Sequence, residues 1–192
     1  PREYVLRGGR ARFEEDFKGF KHRFTTGADM AAMLEGTRRT LEEFGSVEKL
    51  FQSCMEEKDG DIAATLDAFA SRLMGDGGGR AREFLLPKAS KGSSCKRLNL
   101  YLRWMVRNDE VDPGGWTCVS PSVLLVPLDT HMFDICRRLG FTRRKSADFK
   151  AALEITARFR EICPEDPVRY DFALTRFGIR ADPMTLTQNR ID

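Results

Sequence analysis

Val123-Leu124-Leu125-Val126 is a short apolar run with the composition of a strand, and Pro127 ends it at once. No second strand pattern exists for it to pair with, and a lone strand cannot satisfy its own backbone. The core must therefore come from helices. Elsewhere apolar residues return at steps of three and four, the helical period. Phe13, Phe17, Phe20 and Phe24 make one such stripe; Met30, Met33, Leu34, Thr37, Leu41 and Phe44 make a longer one that Gly45 stops. Ser46 is placed to cap a helix through Leu50, Phe51 and Cys54, and Asp61 to open another through Ile62, Leu66, Phe69 and Leu73. Further on, Leu98 to Arg107, Asp129 to Leu139, a Ser146-capped run through Ala152, Ile155 and Phe159, and a segment from Asp166-Pro167 to Gly178 complete the pattern. The reading is a single all-α domain over residues 1–192 with about eight helices.

A chain of 192 residues buries a full core, and no apolar run approaches the roughly 20 residues a membrane helix needs, so no membrane partner is expected. The first residue is Pro1 rather than Met, which leaves room for an upstream segment, and nothing near it resembles a signal peptide. Cys54, Cys95, Cys118, Cys136 and Cys163 are odd in number and scattered, the usage of reduced thiols in a cytoplasmic protein. With His22 and His131 the only histidines and no paired-cysteine spacing, no metal site is expected, and no cofactor motif is present. Gly75-Asp76-Gly77-Gly78-Gly79 lacks the Gly-Lys-Ser/Thr of a phosphate loop and reads as a connector.

Charge is unevenly spread. Residues 80–145 hold 13 Lys and Arg against 6 Asp and Glu, the remainder 19 against 23, so a middle of +7 sits between flanks totalling −4. A polyanion-facing surface fits that asymmetry, as does a solvated basic face. Within the middle, Leu86-Pro87-Lys88-Ala89-Ser90-Lys91-Gly92-Ser93-Ser94-Cys95-Lys96-Arg97-Leu98 has a helix end, a small-residue turn and a new helix, a helix-hairpin-helix outline over about residues 80–107. Backbone N–H groups from Ser90 to Cys95 at a helix N-terminus can hold a phosphate. Residues 126–139 add Val126-Pro127-Leu128-Asp129-Thr130-His131, an acid just before an amphipathic run, where Asp129 is an N-cap candidate. Trp116, beyond the Asp112-Pro113-Gly114-Gly115 turn, is either a lid over a cleft or an anchor for its loop.

These two blocks carry a resemblance. Lys96-Arg97-Leu98-Asn99-Leu100-Tyr101-Leu102 resembles the helix after the hairpin in the helix-hairpin-helix DNA glycosylase superfamily, and Leu128-Asp129-Thr130-His131 resembles its catalytic Asp box. Most of the chain is more closely similar to a family of conserved bacterial proteins of unknown function, marked by Lys-Arg-Leu-Asn…Arg-Trp-Met-Val-Arg and Pro-Leu-Asp-Thr-His. Relatives there begin with additional helices. The spacing of 33 residues between Lys96 and Asp129 is longer than in endonuclease III and nearer to archaeal 8-oxoguanine DNA glycosylase. The hairpin departs from the usual Leu-Pro-Gly-Val-Gly form, and only Cys163 lies where endonuclease III has its four-cysteine iron–sulfur loop.

The resemblance implies two lobes around a cleft lined by the hairpin and Asp129, and a base-excision-repair glycosylase with abasic-site lyase activity, acting as a monomer on double-stranded DNA with a damaged or abasic nucleotide. Breaking an N-glycosidic bond makes the sugar C1′ cation-like, which a carboxylate stabilises; Asp129 would have that role. Lys96 would attack C1′ and form a Schiff base, its amine freed by burial or by a neighbouring cation such as Arg97. Lys88, Ser90, Lys91, Gly92, Ser93, Ser94 and Arg97 would hold DNA, with His131 and Trp116 secondary. An oxidised purine is the substrate favoured by the long spacer. The alternative is a noncatalytic helix-hairpin-helix DNA-binding protein on the same scaffold.

Overall fold

The computed structural model describes residues 1–75 and 84–180; the glycines 77–79, the start of the expected hairpin motif and the tail after Arg180 lie outside the described residues. The chain is all-α: nine α-helices, two 3₁₀ turns and one very small sheet account for its regular elements among the described residues. They fall into two compact units, one ending at Arg97 and one beginning at Leu98.

The first unit contains α1 (Arg2–Arg7), α2 (Arg10–Asp16), the two-stranded hairpin β1 (Lys21–His22) and β2 (Thr25–Thr26), α3 (Gly27–Phe44), α4 (Val47–Glu57) and α5 (Ile62–Met74). The continuous phenylalanine stripe expected over residues 13–24 does not form. The helix α2 ends at Asp16, Gly19 and Arg23 take positive φ, and the chain turns back so that Lys21 pairs with Thr26 and His22 with Thr25. Phe13 is fully buried, whereas Phe24 is 77% exposed. At the foot of the hairpin Thr26 caps α3 through a reciprocal box with Asp29, and Gly45 in left-handed conformation ends that helix.

The buried face of α3 also differs from expectation. Gly27, Ala31, Ala32, Gly36 and Thr40 are the fully buried positions, whereas the large residues of the periodic stripe are half-buried beside them, with Met33 packed against Ala32 and Met74. The reason is close approach: a Cβ on Gly36 would stand 1.6 Å from the Leu73 carbonyl oxygen of α5, and one on Gly27 would stand 1.9 Å from that of Phe17. Next to this seam α4 and α5 supply the bulk, with Leu50, Phe51, Cys54, Leu66 and Phe69 buried and the Phe51 and Phe69 rings edge to face at 5.4 Å. Each such side chain contributes about 1.5–3 kcal/mol on burial. Ser46 and Asp61 cap these helices as their positions suggest.

The helix α6 (Lys96–Val106) begins with the last two residues of the first unit; α7 (Thr130–Arg138), α8 (Phe149–Ile162) and α9 (Asp171–Arg180) belong to the second. Residues 124–128 form no strand. They run extended and buried after a 3₁₀ turn at Pro121–Val123, and the Val126 N–H is satisfied by the Thr156 hydroxyl of α8 at 3.0 Å. The cap of α8 is Asp148, not Ser146, whose hydroxyl instead donates to the Asp148 carboxylate. The final helix starts at Asp171, five residues after the expected Asp166, because residues 166–170 close turns through the Asp166 and Val168 carbonyls.

Candidate functional site

The hairpin is held from behind. Leu85 and Leu86 pack on Ala32 and Met74, and a 3₁₀ turn at Ala89–Lys91 leads to Gly92 in left-handed conformation, φ 82°. Asp67 of α5 accepts the Ala89 N–H at 2.6 Å and the Ser90 N–H at 3.2 Å. Lys91 N–H goes to the Lys88 carbonyl, Gly92 N–H to that of Ala89, and Cys95 N–H to the Ser93 hydroxyl. Of the amides from Ser90 to Cys95 that the sequence offers to a phosphate, those of Ser90, Lys91, Gly92 and Cys95 therefore donate within the protein. Cys95 itself is fully buried at φ 51°, a conformation that costs a non-glycine residue of order 1 kcal/mol or more. Its thiol donates to the Pro87 carbonyl oxygen at 3.2 Å, and burial pushes its pKa up to about 11. It is a structural pin, not a nucleophile.

The side chains of this loop face outward. Ser90, Lys91 and Gly92 are exposed, and Lys88, Ser93 and Ser94 half-buried. Lys96 and Arg97 are exposed in the first turn of α6, which carries no acid. Two cations at the positive end of a helix dipole oppose its field, where an acid is the stabilising choice by about 0.3–1 kcal/mol. Arg97 also donates to the Phe84 carbonyl oxygen.

In the second unit the buried run 124–128 delivers Asp129 to the N-terminus of α7. Its Oδ1 accepts the Met132 N–H at 2.9 Å, and the residue is half-buried. His131, the second residue of α7, is exposed. Trp116 is tied to its own unit: its backbone N–H donates to the Met105 carbonyl oxygen at 2.8 Å, and its ring meets Tyr101 edge to face at 5.6 Å.

Also in this unit is a charged cluster that the sequence reading does not single out. Arg103, 3% exposed, donates from Nε and Nη2 to Asp112 Oδ1 at 3.1 and 2.9 Å, and from Nη1 to Asp171. Arg107 pairs with the same Asp112 through Nη1, with Asp166 at 2.9 Å and with Asp109 at 2.7 Å. Two guanidinium groups thus face four carboxylates, an excess of two negative charges. Burial raises the pKa of Asp171, Arg103 opposes the rise, and the Asp129 carboxylate adds to it. That mutual repulsion marks Asp129 and Asp171 as electrostatic neighbours. Both arginines count toward the basic middle in sequence, yet both are buried and neutralised. The available signal is the i, i+4 arginine pair followed within nine residues by Asp109 and Asp112.

The described residues thus define an all-α protein with an outward basic hairpin in one unit and an acid-rich cluster behind a helix-capping aspartate in the other. The chain belongs to the DUF2400 family, proteins of unknown function, whose family model matches residues 1–180. Comparison with curated proteins and with solved structures returns no match. No helix among the described residues is long and apolar enough to cross a membrane, and no group of three or more His, Cys, Asp or Glu among them is arranged to hold a metal ion.

Proposed function

We propose that this protein is a DNA glycosylase with abasic-site lyase activity, acting on a damaged base in duplex DNA, of which an oxidised purine is the favoured class. The observation that carries the reading is the acid-free first turn of α6, which sets Lys96 and Arg97 against the helix dipole at the end of a basic, outward-facing loop. In this reading Arg97 faces a phosphate and Lys96 the reacting sugar. Phosphate contact comes chiefly from the Lys88, Ser90, Lys91, Ser93, Ser94 and Arg97 side chains, since most loop amides are engaged internally. The grip is sequence-independent.

In this reading the target nucleotide leaves the stack at a cost of a few kcal/mol, least for a damaged base. Asp129, fixed by its cap hydrogen bond to Met132, stabilises the cation-like C1′ as the base departs. The negative excess of the Arg103 cluster reinforces it. Lys96 bonds to C1′ as the C1′–N bond breaks and the base takes up a proton; the nitrogen lone pair then opens the C1′–O4′ bond, the proton shed by the amine passes to O4′ to make the 4′ hydroxyl, and a protonated Schiff base remains. β-Elimination of the 3′ phosphate then nicks the strand. Lys96 is exposed, so the desolvation that frees its lone pair comes from the DNA that covers it.

The experiment is strand nicking on a panel of duplexes carrying single damaged bases. Wild-type protein should nick at least one, and Asp129→Asn should bind that duplex with similar affinity and nick it at least 100-fold more slowly, the order of loss when an electrostatic group is removed. Salt-sensitive binding without nicking on any duplex would instead establish the noncatalytic DNA-binding reading.

A further inference from the structure

The hairpin β1–β2 presents an aromatic platform that nothing in the proposed chemistry uses. Phe24 at its tip is 77% exposed, the highest value among the large apolar residues described, and it stacks on Phe84, itself 47% exposed, with ring centroids 5.5 Å apart and planes 21° from parallel. Keeping both rings in water forgoes burial that a phenylalanine elsewhere in this unit obtains, as Phe13, Phe51 and Phe69 do. The backbone that carries both rings is held in place. The hairpin is pinned by its two strand pairs and by the Gly27 N–H to the Phe20 carbonyl at 2.9 Å; Arg97 grips the Phe84 carbonyl. Arg23, beside Phe24, holds φ 55°, so the turn keeps a conformation disfavoured for a branched-out side chain.

The surroundings decide the partner. From Phe17 to Thr26 the sequence contains Lys18, Lys21, His22 and Arg23 and no acid, and Lys21, His22 and Arg23 are all exposed. Lys18 leans toward Glu15 at 3.5 Å, the one nearby acid that it meets. Protein interfaces deplete lysine around their aromatic cores, whereas a cationic groove with an open aromatic face is how unpaired nucleic acid is held, the cations on phosphates and the ring under a base. We infer that Phe24, stacked on Phe84 and flanked by Lys21 and Arg23, is a stacking platform for an unpaired nucleobase of a single strand. This rests on the DNA-binding reading but involves neither Lys96 nor Asp129.

The test measures binding of a fluorescent single strand of about twelve thymidines, and of an equally long tetrahydrofuran strand with no bases and no aldehyde for Lys96 to trap, each at fixed low salt. Phe24→Ala should bind the thymidine strand about five- to a hundred-fold more weakly than wild type, the range given by one lost base stack, and the base-free strand equally well. Phe24→Tyr should restore the wild-type value. Because Phe24 is exposed, melting of the Ala variant should match wild type. Equal affinity of wild type and Phe24→Ala for the thymidine strand, or wild-type binding of duplex alone, would overturn the platform while leaving the DNA reading in place. Binding of neither single strand nor duplex would overturn both.

Discussion

Asp112 shows how far a residue's role departs from its charge count. It is fully buried between Arg103 and Arg107, and removing it leaves two guanidinium groups in the interior without their shared acceptor. Asp112→Ala should lower unfolding free energy by about 3–5 kcal/mol in urea titrations, the cost of breaking a buried ion pair from one side. A loss below 1 kcal/mol would show the cluster to be wet. Two acids of the same unit should respond to pH with opposite sign. The Ala151 N–H holds Asp148 below the ordinary carboxylate range, so the stability it gives is present above that range and is lost as pH falls through the depressed value. Asp171 is raised by burial, so its contribution is complete below the ordinary range and is lost as pH rises through the raised value. From acid to neutral pH, Asp148→Asn should fall progressively below wild type in stability and Asp171→Asn should gain on it, the first change lying below and the second above the ordinary carboxylate range. Parallel curves would contradict the assignment. Sequence alone could place Asp129 as a cap because the acid sits directly before an amphipathic run. It could not show Arg103 and Arg107 as buried, since their acceptors Asp166 and Asp171 lie 59 and 68 residues downstream in the respective pairs.

At the scale of elements, caps and stops were legible and faces were not always so. Ser46, Asp61 and Gly45 end or begin helices through local hydrogen bonding that needs no partner element. The inward face of α3 depends on α5 coming close, and small residues leave no periodic signal when hydrophobicity alone is read. Gly36→Ala should therefore destabilise by about 1–3 kcal/mol despite the better helix propensity of alanine, because the added methyl meets Leu73 backbone. Gly45→Ala meets open space and should cost only about 1 kcal/mol, from its positive φ. Chemical denaturation of the two variants separates the causes: a stabilised Gly36→Ala protein would mean the seam between α3 and α5 is looser than described. The hairpin β1–β2 escaped the helical reading for a related reason. The spacing of Phe13, Phe17, Phe20 and Phe24 fits a helix, but Gly19 and the Lys21 to Thr26 pairing override it.

For the whole molecule, the all-α class followed from the absence of a partner for residues 123–126, and the extended buried path they take satisfies Val126 through Thr156. The +7 middle overstates the basic surface, because Arg103 and Arg107 are neutralised where they stand. Phosphate neutralisation should still govern DNA affinity: log K against log salt should fall with a slope of about −0.9 for each phosphate engaged, and Lys91→Ala or Arg97→Ala should each reduce the slope by about one phosphate. Affinity that is flat between low and moderate salt would remove the electrostatic grip from the account. The most direct test of the proposed chemistry is borohydride reduction during incubation with an abasic or oxidised-base duplex, followed by peptide mapping. Wild-type protein should yield a covalent protein–DNA adduct on Lys96, absent from Lys96→Gln although that variant binds DNA nearly as well. An undiminished adduct in Lys96→Gln, or no adduct from wild-type protein on any damaged duplex, would contradict it.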